Sequence, residues 1–227
     1  MALPTVVLVH GAWHTSANYQ SYIAALQRHG FTVHCPLLPT CNKSLSGERI
    51  LMIMHSYGGT VGSDAIYGLA YPSASGGGGV IHLLYLCVFI LPAETSVWDV
   101  LRAVGYDSLF DQFVHTAEDG SMFPLDPGML FFGGDDTMVR FPRSACTTPV
   151  GEANAWKAVP GTYVRTEKDY SLLPAYQEVM LSWVKEHGAD LRIESYGTCH
   201  SIFASKEEDM VRLAVEAAED PRDSTVL

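Results

Sequence analysis

Ser56 sits in His55-Ser56-Tyr57-Gly58-Gly59, between an apolar run of strand length, Ile50 to Met54, and a helix-compatible stretch from Thr60 to about Tyr71. A serine on a sharp turn between a buried strand and a helix is presented as a nucleophile. The helix N-terminus behind it turns free N–H groups toward a developing negative charge. Read alone, Ser56 fits a helix N-cap, the commonest role of a serine before a helix. The chemistry it could do is acyl transfer, which needs a base and an acid that orients the base. On such a turn the partners follow in the chain order serine, acid, histidine. Asp169, in Thr166-Glu167-Lys168-Asp169-Tyr170, comes just after the strand-like run Gly161 to Thr166, and His200 comes five residues after Leu191 to Ser195. Glu167 and Glu94 compete with Asp169. His187 competes with His200, but it precedes Gly188 at a helix end, where a cation suits the helix dipole. One oxyanion donor is the N–H of Tyr57. The second is expected from His10-Gly11-Ala12-Trp13, at Ala12. One residue breaks the pattern: Met54 occupies the position two before the serine, where glycine is usual.

These residues need a sheet whose strand ends converge. Thr5 to Val9, Phe31 to Cys35, Ile50 to Met54, Val80 to Ile90, Gly161 to Thr166 and Leu191 to Ser195 read as six strands. Helical stretches begin near Ser16 and run over Tyr176 to Glu186 and Glu207 to Glu219. Strands alternating with helices predict an α/β fold with a mostly parallel sheet and right-handed crossovers. Residues 93–160 break the alternation. They are rich in aromatic and aliphatic residues among Gly, Pro and Asp, without strand periodicity, and predict an inserted cap over the strand ends. Trp98 and Phe131 of that cap, with Trp13 and His14 beside the oxyanion loop, are the expected substrate-binding residues. Cys41 to Glu48 is too short for the usual crossover helix, so the helix between Thr40 and Arg49 is expected to be missing.

A chain of 227 residues, 48% hydrophobic and 17% charged, fits one α/β domain spanning 1–227. The net charge of −11 disfavours nucleic acid and anionic membrane surfaces. The N-terminus lacks the basic region of a signal peptide, and no apolar run is long enough to span a membrane. Five cysteines without a CxxC pair fit a reducing compartment, so a cytoplasmic location is expected, although Cys35 and Cys41 are close enough in sequence to bridge. No His, Cys and carboxylate set has metal-ligand spacing, and no cofactor is expected. The sequence leaves a homodimer open.

The His-Gly-Ala-Trp-His loop, the His-Ser-Tyr-Gly-Gly turn, Thr-Glu-Lys-Asp-Tyr-Ser-Leu-Leu-Pro with Gln177 beyond it, and the late Cys-His-Ser resemble the α/β-hydrolase superfamily. Within it the chain is similar to the small intracellular branch of plant methylesterases, hydroxynitrile lyases and related bacterial and fungal proteins. The resemblance runs over nearly the whole chain, in order. It implies Ser56, Asp169 and His200 as a catalytic triad and Ala12 and Tyr57 as the oxyanion hole. The apolar cap points to a small apolar ester or lactone as the substrate of a cofactor-independent serine esterase. Two alternatives stand beside it. One is carbon–carbon cleavage as in hydroxynitrile lyases, which carry a lysine where this chain has Ser201. The other is a catalytically impaired binder of a small apolar ligand.

Overall fold

The computed structural model describes residues 3–36, 47–66, 68–70, 78–131, 138–152 and 154–219. The expected absence of a crossover helix between Thr40 and Arg49, and the pairing of Cys41, lie outside them.

Six strands form one parallel sheet: β1 (Thr5–Val9), β2 (Val33–His34), β3 (Arg49–His55), β4 (Gly79–Leu86), β8 (Gly161–Thr166) and β9 (Leu191–Tyr196). Their order is β2-β1-β3-β4-β8-β9. β1 and β4 are buried along their whole length. Continuous apolar runs such as Val6 to Val9 and Leu83 to Leu86 fit strands covered on both faces. β2 is shorter than the expected Phe31 to Cys35. β9 is half-exposed, as an edge strand is.

The helices α1 (Gln20–Arg28), α2 (Gly58–Ala65), α6 (Pro174–Glu186), α7 (Ile202–Ser205) and α8 (Glu207–Ala218) flank the sheet. α8 packs on β3, β4 and α1, α2 packs on β1 and β3, and α6 packs on β8. α2 stops well short of Tyr71. The chain turns at Gly68, whose φ of +74° suits glycine, and Ala70 then bridges to Val80.

Between β4 and β8 lie α3 (Val97–Ala103), α4 (Pro127–Phe131), α5 (Arg143–Thr147) and a second, antiparallel sheet of β5 (Val114–Thr116), β6 (Ser121–Pro124) and β7 (Phe141–Pro142). The sequence suggested no strands here. Strands of two to four residues are too short to display a period of two.

Candidate active site

β3 ends at His55, and the next residue has a φ of +55°, the left-handed region that a side chain rarely adopts. The turn is held there by its own backbone. Ser56 N–H donates to Leu86 O (3.3 Å), and Ser56 O accepts from the N–H groups of Gly59 (3.1 Å) and Phe89 (3.0 Å). α2 then runs hard against the end of β4. A Cβ on Gly59 would lie 2.5 Å from Val88 Cβ and 2.6 Å from Phe89 O. The loop after β1 comes equally close from the other side, since a Cβ on Gly11 would lie 2.8 Å from Ser56 Cβ. Small residues at 11 and 59 therefore let two loops close on one serine.

Asp169 and His200 arrive from the ends of β8 and β9. His200 Nδ1 lies 2.8 Å from Asp169 Oδ2, and both side chains are fully buried. The carboxylate is saturated. Oδ2 also accepts from Thr166 Oγ1 (2.6 Å), and Oδ1 accepts from the N–H groups of Ser171 (2.9 Å) and Leu172 (2.7 Å). Buried Gln177 braces this turn, donating to Thr166 O and Leu172 O and accepting from Thr166 N–H. A carbonyl acceptor on neither nitrogen leaves the tautomer to the acid: Nδ1–H faces Asp169, so Nε2 carries the lone pair. Nε2 is buried without a hydrogen-bond partner among the described residues. No hydrogen bond joins it to Ser56 Oγ in this resting arrangement; such contacts commonly tighten only around a substrate.

Similar proteins share this architecture. No protein-family model matches the chain. At 25% identity over 251 aligned positions it is similar to the alpha/beta hydrolase nvfD of Aspergillus novofumigatus, covering 96% of this chain and 98% of that protein. The crystal structure of a pyrethroid hydrolase from Sphingobium faniae JZ-2 superposes with a TM-score of 0.73 at 18% identity, over 97% of this chain and 99% of that one. Polyneuridine aldehyde esterase gives 0.70 at 15%, over 94% and 98%. Its fold is that of the α/β-hydrolases.

Within this fold the serine opens on a cavity of about 500 Å³ that Ala12 and Tyr57 also line. The N–H groups of Ala12 and Tyr57 donate to no acceptor among the described residues. The remaining wall is largely apolar, including Phe89, Leu101, Phe110, Leu130 and Tyr176, and no charged side chain belongs to it among the described residues. Of the four expected pocket residues, only Trp13 lines the cavity. Its indole N–H donates to Met122 O (3.0 Å), tying the loop after β1 to β6. His14 is buried behind it, with Nδ1 2.7 Å from Ala12 O. Phe131 points away from the cavity, packing on the rings of Trp13, His14 and His200, while its neighbours Met129 and Leu130 form the wall. Trp98 meets Phe110 edge to face and lies under the Arg143 guanidinium. Trp98 and Phe131 were expected from residue type; one turn of a short helix decides which of its side chains reaches the cavity, and type does not reveal that. Tyr57 is singled out in the sequence only for its N–H, and Phe89 and Cys146 of the wall, far from the turn along the chain, carry no sequence signal.

The rival residues sit elsewhere. His187 caps α6 in solvent with Nδ1 on Trp183 O (2.7 Å), and Glu167 is exposed beside the β9 end. Among the described residues the ligand atoms of His55, Cys87 and His200 lie within 4.8 Å of one another. They do not suit a metal ion, because His55 Nε2 and Cys87 Sγ are both committed to His200 O (3.0 and 3.2 Å). Cys87, Cys146 and Cys199 carry free thiols, and no described helix is long and apolar enough to cross a membrane.

Burial holds His55 well below the ordinary imidazole value of 6.5, with the neighbouring His200 and His14 adding to it. His55 therefore stays neutral when folded and gains a proton only on unfolding as pH falls below 6.5. The unfolded state then binds more protons, so stability drops as pH falls, by up to about 1.4 kcal/mol per pH unit for one such group. The expected result is that His55→Gln, which cannot titrate, loses less melting temperature than the parent between pH 7 and pH 5. Parallel curves in differential scanning calorimetry would contradict this.

Proposed function

We propose that this α/β-hydrolase is a cofactor-independent serine esterase acting on an uncharged, apolar carboxylic ester or lactone. The observation that carries the reading is the strained Ser56 turn opening on an apolar cavity, with the His200–Asp169 pair buried beside it. Ser56 Oγ would attack the carbonyl carbon as His200 Nε2 takes its proton. The Ala12 and Tyr57 N–H groups would receive the oxyanion, each such donor being worth about 3–4 kcal/mol in the transition state. Collapse expels the alcohol, protonated by His200, and leaves an acyl-enzyme. Water, deprotonated by the same nitrogen, then releases the acid. Asp169 holds the imidazole in the required tautomer and balances its transient charge. Residues 93–160 act as a cap, since Val97, Leu101, Phe110, Phe113 and Leu130 supply one side of the cavity.

The similar polyneuridine aldehyde esterase supports an ester substrate, and the similar pyrethroid hydrolase supports hydrolysis. The lyase alternative lacks its cation. Ser201, in the position of the lysine, is buried and donates its hydroxyl to Phe131 O. The free buried thiols fit a reducing compartment.

A panel of aryl and alkyl esters tests this reading. Neutral apolar esters should be hydrolysed. Analogues bearing a carboxylate in the acyl part should lose at least about 10²-fold in kcat/KM, because none of the described side chains that line the cavity carries a charge to compensate a buried carboxylate. Absence of turnover across the panel, together with no labelling of folded protein by a fluorophosphonate, would sink the proposal.

A further inference from the structure

Three loops must meet for this chemistry, and a chain of buried hydrogen bonds joins all three behind the serine. Gly11 N–H, one residue before the oxyanion donor Ala12, donates to Tyr19 Oη (3.0 Å). Tyr19 Oη lies 2.7 Å from His55 Nδ1, on the residue before the nucleophile. His55 Nε2 lies 3.0 Å from the backbone oxygen of His200 itself. The donors follow without choice. A carbonyl oxygen only accepts, so His55 carries its proton on Nε2. In a neutral imidazole Nδ1 is then the acceptor, and Tyr19 must donate to it. That leaves the Tyr19 oxygen free to accept from Gly11. Ile202 N–H (2.9 Å) and the Cys87 thiol complete the bonding of His200 O.

The relay is enclosed. Tyr19 and His55 are wholly buried, Phe203 stacks on Tyr19 at 4.3 Å, and His14, Phe203 and His200 surround the His55 ring. None of Tyr19, His55 and Phe203 lines the cavity. Their effect on a substrate can therefore come only through the groups they hold.

We propose, on the serine esterase reading above, that Tyr19 and His55 are positioning residues. They set the oxyanion loop, the Ser56 turn and the His200 loop at one fixed spacing. His55 in its Nε2–H tautomer is the central link. Displacement of reacting groups by about 1 Å can cost 10²-fold in rate without changing substrate contacts.

The test uses Tyr19→Phe, His55→Leu and His55→Gln in the full chain. Tyr19→Phe keeps the ring but leaves Gly11 N–H and His55 Nδ1 unpaired. The amide nitrogen of Gln lies as many bonds from Cβ as His Nε2 does and can donate to His200 O. Expected are kcat losses of about 10–100-fold for Tyr19→Phe and His55→Leu with KM within about twofold, and recovery of most of that loss in His55→Gln. Unchanged kcat in both disruptive variants, a loss confined to KM, or a His55→Gln as impaired as His55→Leu would overturn the relay while leaving the esterase reading intact. An inactive parent would overturn the esterase reading instead. The relay is then decided by the imidazole ¹⁵N resonances of His55. Its Nε2 must be protonated and Nδ1 bare in the parent, with Nδ1 moving in Tyr19→Phe. The opposite tautomer refutes it, as does an Nδ1 insensitive to Tyr19.

Discussion

Ser56→Ala is expected to lower kcat on any ester the chain hydrolyses by about 10⁴–10⁶-fold and to abolish fluorophosphonate labelling. The fold should be indifferent to the change. Ser56 Oγ makes no hydrogen bond to another described residue, and alanine at a φ of +55° is strained no more than serine. A melting temperature within a few degrees of the parent would separate lost chemistry from lost structure. His200→Ala should be about as damaging as Ser56→Ala, and the double variant no worse than either, because a nucleophile without its base is not activated. Asp169→Asn removes the acceptor that fixes the His200 tautomer and should cost about 10⁴-fold in kcat. It should also destabilise the chain. The Asn amide would turn a donor either toward the Thr166 hydroxyl and His200 Nδ1 or toward the N–H groups of Ser171 and Leu172, where the carboxylate accepts four hydrogen bonds. Residual ester turnover above about 10% of the parent in Ser56→Ala would move the nucleophile elsewhere.

What the residues announce and what they conceal divide along physical lines. Apolar runs such as Thr5 to Val9 and Ile50 to Met54 announce buried parallel strands because both their faces are covered, so no alternation is needed to find them. The meeting of Asp169 with His200 is legible because each follows a strand, and parallel strands deliver their C-termini to one edge. Tyr19 is silent. It lies in a short helical turn, Ser16–Tyr19, where an aromatic residue reads as ordinary core, and its bonds run to residues 8 and 36 positions away. The braces on Asp169 are half-legible: Gln177 stands within the resembling motif, while Thr166 looks like the last residue of a strand. The cavity wall is illegible for a further reason. It is built from α3, the 3₁₀ segment Asp107–Gln112, α4 and the turn after Asp169, and the mutual packing of four short elements has no periodic trace in one dimension.

Met54→Gly, which would restore the residue common two positions before the nucleophile, is expected to damage the protein. The prevailing glycine makes room for the helix behind the turn. Here the room comes from the helix side. Met54 is fully buried, and a Cβ on Gly62 of α2 would lie 2.5 Å from Met54 Sδ and 2.9 Å from its Cγ. The thioether fills the space that Gly62 leaves, between α2 and β3. Deleting it should cost about 2–5 kcal/mol, the usual range for emptying a well-packed site of this size. Gly62→Ala alone should cost about 1–3 kcal/mol by overpacking, partly relieved because methionine can change rotamer. The two changes should not add. With Met54 gone, the methyl introduced by Gly62→Ala enters the vacated space and alanine gains about 1 kcal/mol of helix propensity over glycine, so Gly62→Ala should stabilise a Met54→Gly chain while it destabilises the parent. Urea unfolding of the four chains measures this reversal of sign. Additive losses would mean that Met54 and Gly62 do not share one space, and the bulky residue at 54 would then be a burden on the Ser56 turn with no partner in α2 to relieve it.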